Sequence, residues 1–400
     1  MSFRNTIRFL FSLTTMLSPL FIILHGIAVY FLALWIVLSI LYLFSYKVFS
    51  SSFFNLAWII LPLFLLIHAL AMLYTSNMHS GWFDLEVKAC LFLLPLVFYI
   101  QHKTFNSFNI KSMKWIYLIS ISVLCLFLFI GAFIKTIHTQ QVHLYYLDFS
   151  SPYHPAYLAM YLTLGLIFLI DFFIAEKNKF FTILLFIWII VLLALVYFLS
   201  SKAGILSVCL VFVLASLHYL FKNKKWIKSL LLLIVVALFT YTGISENYRF
   251  KSVSSTVQTA TTNVSATESN AARWLVWHAG FDLLKQHWLW GVGTGDIKDV
   301  LMQEYAKRNM KGALEEKLNA HNQYLETWLA QGLLGIAWLV LIFIYAFKHA
   351  FKRNNVPWMM FLVLTGFNFL FESMLNTQGG VIFFAYFYSF FFFEHKINKV

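Results

Sequence analysis

The chain has 400 residues, 61% hydrophobic and only 11% charged, with 45 Phe, 20 Tyr and 13 Trp. A soluble domain carries about 25% charged residues, so this composition excludes an assembly of soluble domains. The net charge of +13 does not mark a nucleic-acid binder either, because the basic residues stand in short breaks between apolar runs and form no single patch.

Those runs are each long enough to cross a bilayer core of about 30 Å as a helix. In chain order they predict spans at 7–24, 27–45, 53–73, 84–101, 113–134, 154–174, 180–199, 203–221, 226–244, 321–347, 356–375 and 379–394. The predicted fold class is all-α, a polytopic integral membrane protein with about twelve transmembrane helices and one long extracytoplasmic loop containing short helices. Three parts follow: N-terminal membrane helices over 1–244, the loop over 245–320, and C-terminal membrane helices over 321–400. Arg4 and Arg8 before the first run resemble a signal peptide, but the next run follows Gly26 and no small-x-small cleavage site stands out. The first run is therefore read as a membrane helix. With the N-terminus inside, the short outer loops and helix ends hold only Lys88, Lys135 and Lys202 of the 29 Lys and Arg. This asymmetry puts both termini in the cytoplasm. Cys90, Cys125 and Cys209 all lie within apolar spans with no CxxC pair and no metal spacing, and read as small buried hydrophobes.

The loop opens with a Ser/Thr-rich segment, Lys251 to Asn270, that lacks apolar periodicity and is expected to be mobile. Asn263-Val264-Ser265 matches a glycosylation sequon, a match that chance alone explains in such a stretch. From Arg273 the pattern changes: Trp274, Trp277, Phe281 and Leu284 recur at helical spacing, and Trp288 and Trp290 extend an aromatic set suited to the membrane interface. Gly291 to Gly295 makes a turn, and Asp296 starts a second helix running to about Arg308. The turn follows no strand of a βαβ unit, which excludes a dinucleotide site.

Few residues are able to carry chemistry, and each has a bland reading beside the functional one. His321, opening the tenth span, is a general base near neutral pH or a histidine bonded to its own helix start. Asn322 beside it is a candidate to orient the ring; Tyr324 and Trp328 either stack on a sugar or pack. Arg273 binds phosphate oxygens through its planar fork, or holds lipid head groups or Glu268. Lys202, in Ser200-Ser201-Lys202-Ala203-Gly204 between two apolar runs, meets an anionic ligand or snorkels to the surface. His154, between Pro152 and Pro155, is a second ligand-facing histidine or a piece of loop structure. Glu372, in the eleventh span near its outer end, is a functional carboxylate or the partner of a cation inside the bundle. No His/Asp/Glu cluster has metal-ligand spacing, and no metal or other cofactor is expected.

Several of these elements, in this order, resemble the O-antigen ligase family and its O-antigen polymerase relatives. They are the Ser-Ser-Lys-Ala-Gly junction, the long outer loop, Arg273 followed by Trp277, and the Gly-Val-Gly-Thr-Gly turn. His321-Asn322-Gln323-Tyr324-Leu325 leading to Gln331-Gly332-Leu333-Leu334-Gly335, and Phe371-Glu372-Ser373-Met374-Leu375 with Gly379-Gly380, complete the set. The resemblance covers mainly residues 150–394.

It implies a glycosyltransferase of the bacterial inner membrane with a periplasmic loop. The donor is a glycan on undecaprenyl pyrophosphate and the acceptor is the lipid A core; membrane lipids surround it and no nucleic acid is bound. His321 matches the family's catalytic histidine and Arg273 the loop arginine that engages the pyrophosphate. Lys202 falls where the family usually has arginine, and Gln331 where it often has glutamate. The implied reaction needs no metal and inverts the anomeric carbon. A polysaccharide polymerase or a protein O-oligosaccharyltransferase of the same fold shares the donor and the mechanism. A transporter of polysaccharide or lipid is the alternative of another class; no inverted repeat of broken helices supports it.

Overall fold

A computed structural model describes residues 3–24, 26–46, 56–101, 107–222, 224–245 and 269–397, and every regular element among them is helical. The first eleven helices are α1 (Phe3–Ile22), α2 (Ile27–Tyr46), α3 (Leu56–Ala71), α4 (Met78–Lys88), α5 (Cys90–Gln101), α6 (Ser107–Thr139), α7 (Tyr146–Ser150), α8 (Pro155–Ala175), α9 (Lys179–Phe198), α10 (Lys202–Phe221) and α11 (Trp226–Ser245). The loop contributes α12 (Ser269–His287), α13 (Ile297–Lys307) and α14 (Lys311–Glu315). The last part holds α15 (Gln323–Lys352), α16 (Val356–Asn368) and α17 (Gln378–Ile397), with a 3-10 turn at Met374–Asn376. The Ser/Thr-rich segment up to Glu268, with the sequon at Asn263, lies outside the described residues.

Seven of these helices are long and apolar enough to cross a membrane: α2, most of α6, α8, α9, α10, α11 and α15. The other five predicted spans are also helical, as α1, α3, α5, α16 and α17, but α3, α5 and α16 have only 16, 12 and 13 residues. At 1.5 Å per residue, α5 is about 18 Å long, short of the hydrocarbon core. The expected span 84–101 is in fact two helices broken at Ala89, since α4 begins at Met78. In the same way α6 runs past both ends of 113–134 and takes in Lys111; Lys114, inside the predicted span, pairs with Glu394 at 2.6 Å in the interior.

Side-chain acceptors fix where several helices start: Asn178 before α9, Ser201 before α10, Asn322 before α15 and Asn355 before α16 each accept a first-turn N–H. Helix α8 is buried along nearly its whole length and packs with α17. There Phe383, Phe387 and Phe391 interlock with Phe361, Phe168 and Tyr117. The many exposed large apolar side chains of α2, α6, α9 and α11 form the outer wall, as expected of a lipid-facing surface.

The loop helices have a small core of their own, built from Val276, Ala279, Leu283, Leu301, Tyr305 and Ala313 and closed by Leu325 and Leu329 of α15. The predicted helix from Arg273 is thus present as α12, but its buried face differs from the aromatic stripe. Trp274 and Phe281 point outward, while Val276, Ala279 and Leu283 turn in. Small residues win that face because α15 comes close: a Cβ on Gly280 would meet Leu325 Cδ2 at 2.8 Å.

The glycine turn keys into a break in α15. Gly332 has φ 65, a left-handed value that interrupts the helix. Val292 and Gly293 donate N–H bonds to the carbonyls of Leu329 and Ala330 (2.8 and 3.0 Å), and Leu333 N–H donates to Leu289 O at 3.0 Å. The backbone groups freed at the break are therefore satisfied by protein, as membrane depth demands. A Cβ at Gly332 would sit 2.2 Å from Leu289 O, and one at Gly291 would sit 2.5 Å from Ala330 O. Gly332→Ala should destabilise the protein by about 1–3 kcal/mol from backbone strain alone, and by more through the collision. A lowered Tm of the detergent-solubilised variant, with Gly335→Ala in parallel for comparison, checks this.

Candidate active site

Three of the residues singled out in the sequence are joined by hydrogen bonds. Arg273, near the start of α12, donates from Nη2 to Glu372 Oε1 at 2.6 Å and from Nε to Phe371 O at 3.2 Å. His321, just before α15, holds Nδ1 3.3 Å from the other carboxylate oxygen, Oε2 of Glu372. The carboxylate is buried, whereas the Arg273 and His321 side chains remain 22% and 24% exposed, so the cation and the imidazole stay reachable.

Glu372 does not lie within a membrane helix, as the predicted span had it. Helix α16 stops at Asn368, and Glu372 stands in the link to the 3-10 turn. Burial pushes its carboxyl up, but the bond to His321 and the charge of Arg273 outweigh this and hold it below the usual carboxylate range. A depressed folded-state pKa stabilises the fold above the ordinary Glu value of about 4.3, and that stability is lost as pH falls through the lower folded value. The wild-type Tm should therefore drop on acidification below that ordinary value, and Glu372→Gln should flatten this part of the curve.

Local structure explains the placement of His321. Its φ of 44 is left-handed, and its N–H donates to Asn319 Oδ1 at 2.9 Å. A non-glycine residue in this region is held there by its surroundings. Asn322 does not orient the ring. Its Oδ1 accepts Leu325 N–H (3.0 Å) as the cap of α15, and its own N–H donates to Ser373 Oγ (3.2 Å). The Tyr324 hydroxyl donates to Gly366 O at 2.9 Å and its ring meets Phe369 edge-on. Trp328 is likewise tied to the Trp288 carbonyl. Trp277 stands beside Phe371, with ring centroids 6.4 Å apart.

His154 and Lys202 come to the same end of the bundle. His154 is exposed at the start of α8, edge-on to Tyr157, and its charge contributes to holding the Glu372 carboxyl down. Lys202 opens α10, five residues before Ser207, whose hydroxyl accepts a bond from Asn368 at the end of α16 (2.9 Å).

Asp296 precedes α13 as expected, but its carboxylate does not cap that helix. It accepts the N–H groups of Ser76 and Asn77 (2.7 and 2.6 Å) and so pins the loop to the start of α4.

Residues 184–340 match the family model described as O-antigen ligase. Over this segment the chain is similar to the O-antigen ligase family. The matched residues run from within α9 into α15 and include Lys202, Arg273, Trp277 and His321; His154 and Glu372 lie outside them. No curated protein matches the chain. The chain thus combines helices long and apolar enough to cross a membrane with a segment similar to that family.

Sequence reasoning missed two buried groups. Glu326 is buried one turn into α15 and accepts Ala320 N–H and Asn376 Nδ2 at 2.8 Å each. The argument that flagged Glu372, a carboxylate at membrane depth, applies to it equally. In the second group, the buried His68 is 3.5 Å from Asp84, which also pairs with Lys88. Gln331 Nε2 lies 2.9 Å from His68 Nδ1, so this position, where the family often has glutamate, joins α3 to α15 beside the break.

Proposed function

We propose that the protein is a metal-independent, inverting glycosyltransferase of the O-antigen ligase type. It would move a glycan from undecaprenyl pyrophosphate to the lipid A core on the periplasmic face of the inner membrane, with the loop on that face and both termini in the cytoplasm. The observation that carries this reading is the Arg273–Glu372–His321 set, in which one buried carboxylate holds both a cation and a base. An Nδ1–H donated to Glu372 fixes the ring tautomer and leaves Nε2 unprotonated for an acceptor hydroxyl. That hydroxyl oxygen would bond to the anomeric carbon as the bond from this carbon to the phosphate oxygen breaks, and the proton would pass to His321. The departing pyrophosphate would meet the guanidinium edge of Arg273 and the Lys202 ammonium, which offset its charge in place.

A polymerase that extends carrier-linked glycan would use the same groups, as would a protein O-oligosaccharyltransferase. The experiment that separates them is a lipopolysaccharide gel from a deletion strain complemented with the wild-type protein. A ligase predicts core without attached polymer in the deletion and a restored ladder on complementation. Single repeat units on the core would mean polymerisation instead, and unchanged lipopolysaccharide would overturn the reading.

A further inference from the structure

We infer that Glu326 is a positioning residue for the proposed transfer reaction, the group that holds the His321 and Glu372 segments in register. The inference rests on the reading of His321 as the base. His321 and Glu372 come from separate stretches of chain, 51 residues apart, and their bond is 3.3 Å long. Neither segment is helical at the relevant residue: His321 precedes α15, and Glu372 follows α16. Something must fix one to the other.

The first turn of α15 does so. Glu326 Oε2 accepts Ala320 N–H at 2.8 Å, the amide next to His321, and also the Ser373 hydroxyl at 3.4 Å, the side chain next to Glu372. Its Oε1 accepts Asn376 Nδ2 at 2.8 Å. Ser373 Oγ in turn accepts Asn322 N–H at 3.2 Å, so both neighbours of His321 are tied to the Glu372 segment. Gln323 adds two bonds to backbone groups: its Oε1 accepts Leu375 N–H (2.6 Å), and its N–H donates to Phe369 O (2.7 Å).

Three donors converge on Glu326, a number that an acceptor-only carboxylate suits and an amide of the same shape does not. The side chain is 4% exposed, so an apolar replacement would leave Ala320 N–H, Ser373 O–H and Asn376 N–H without it and without water. A displacement of about 1 Å between base and substrate can cost about a hundredfold in rate. Glu326 touches no reacting atom, and its effect would pass through His321 and Glu372.

The test uses full-length protein purified in detergent, with carrier-linked glycan and core lipid extracted from the deletion strain as substrates. Glu326→Leu is expected to lower kcat about 50-fold or more with KM within about threefold. In a Glu372→Gln background the same substitution should cost less than about fivefold, because the partner it positions is already altered. A merely structural role would give equal losses in both backgrounds, and that result, or an unchanged kcat, overturns the inference. If Glu326→Leu does not reach the membrane, Ser373→Ala takes its place, since it removes only the hydroxyl between Glu326 and Asn322. A fall of about tenfold in kcat supports the inference, and a wild-type kcat overturns it. His321→Ala is assayed beside them: if it too retains transfer, the failure belongs to the assignment of the base and not to Glu326.

Discussion

Replacing His321 by alanine is expected to abolish glycan transfer without removing the protein from the membrane. A positioned general base contributes about 10²–10⁴-fold, so the residual rate should fall at least into that range, read as kcat in the purified system or as a missing ladder on the gel. The fold should survive. The His321 side chain is 24% exposed and its ring bonds Glu372 at 3.3 Å, while the backbone bond to Asn319 does not depend on the ring. Full activity in the variant would remove the base from the mechanism.

Arg273 gives the second large effect, with a different signature. Alanine there should lower kcat about 10²–10³-fold, the scale of losing one preorganised donor to a developing anion. Lysine should not restore it, because one ammonium cannot hold Phe371 O and the carboxylate through a planar fork and still face phosphate. Arg273→Ala also strands the buried Glu372 carboxylate, so its Tm should fall as well. Adding Glu372→Gln should recover much of the Tm and none of the activity. If stability and activity return together, Arg273 serves the fold alone.

The helices were legible because apolar runs of membrane length have few alternatives. The ends were less so: α6 outruns its apolar core, and α16 stops before Glu372, because capping and turn geometry decide those boundaries. His321, Arg273 and Glu372 each stood out as rare polar groups in a greasy chain. Their union through one carboxylate did not, since contacts 51 and 99 residues apart leave no periodic trace. Asn322 read as a helper of the base because it is adjacent in sequence, yet the orphan N–H groups of a helix start claim its side chain. Glu326 was not singled out in the sequence; its burial is what sets it apart.

The keyed break in α15 has a consequence for how the chain is made and how it can vary. Leu289 to Gly293 are synthesised before Leu329 to Leu333, so the template for the break exists before the helix that it interrupts. The start of the second half of α15 completes its backbone bonding through the docked loop, so settling of this helix is expected to depend on that docking. Length changes should then be sorted sharply along the loop. Additions in the Asn309–Leu318 region leave the key intact, whereas one residue inserted between Leu289 and Gly293 shifts three backbone bonds at once and should leave α15 unable to settle in the membrane.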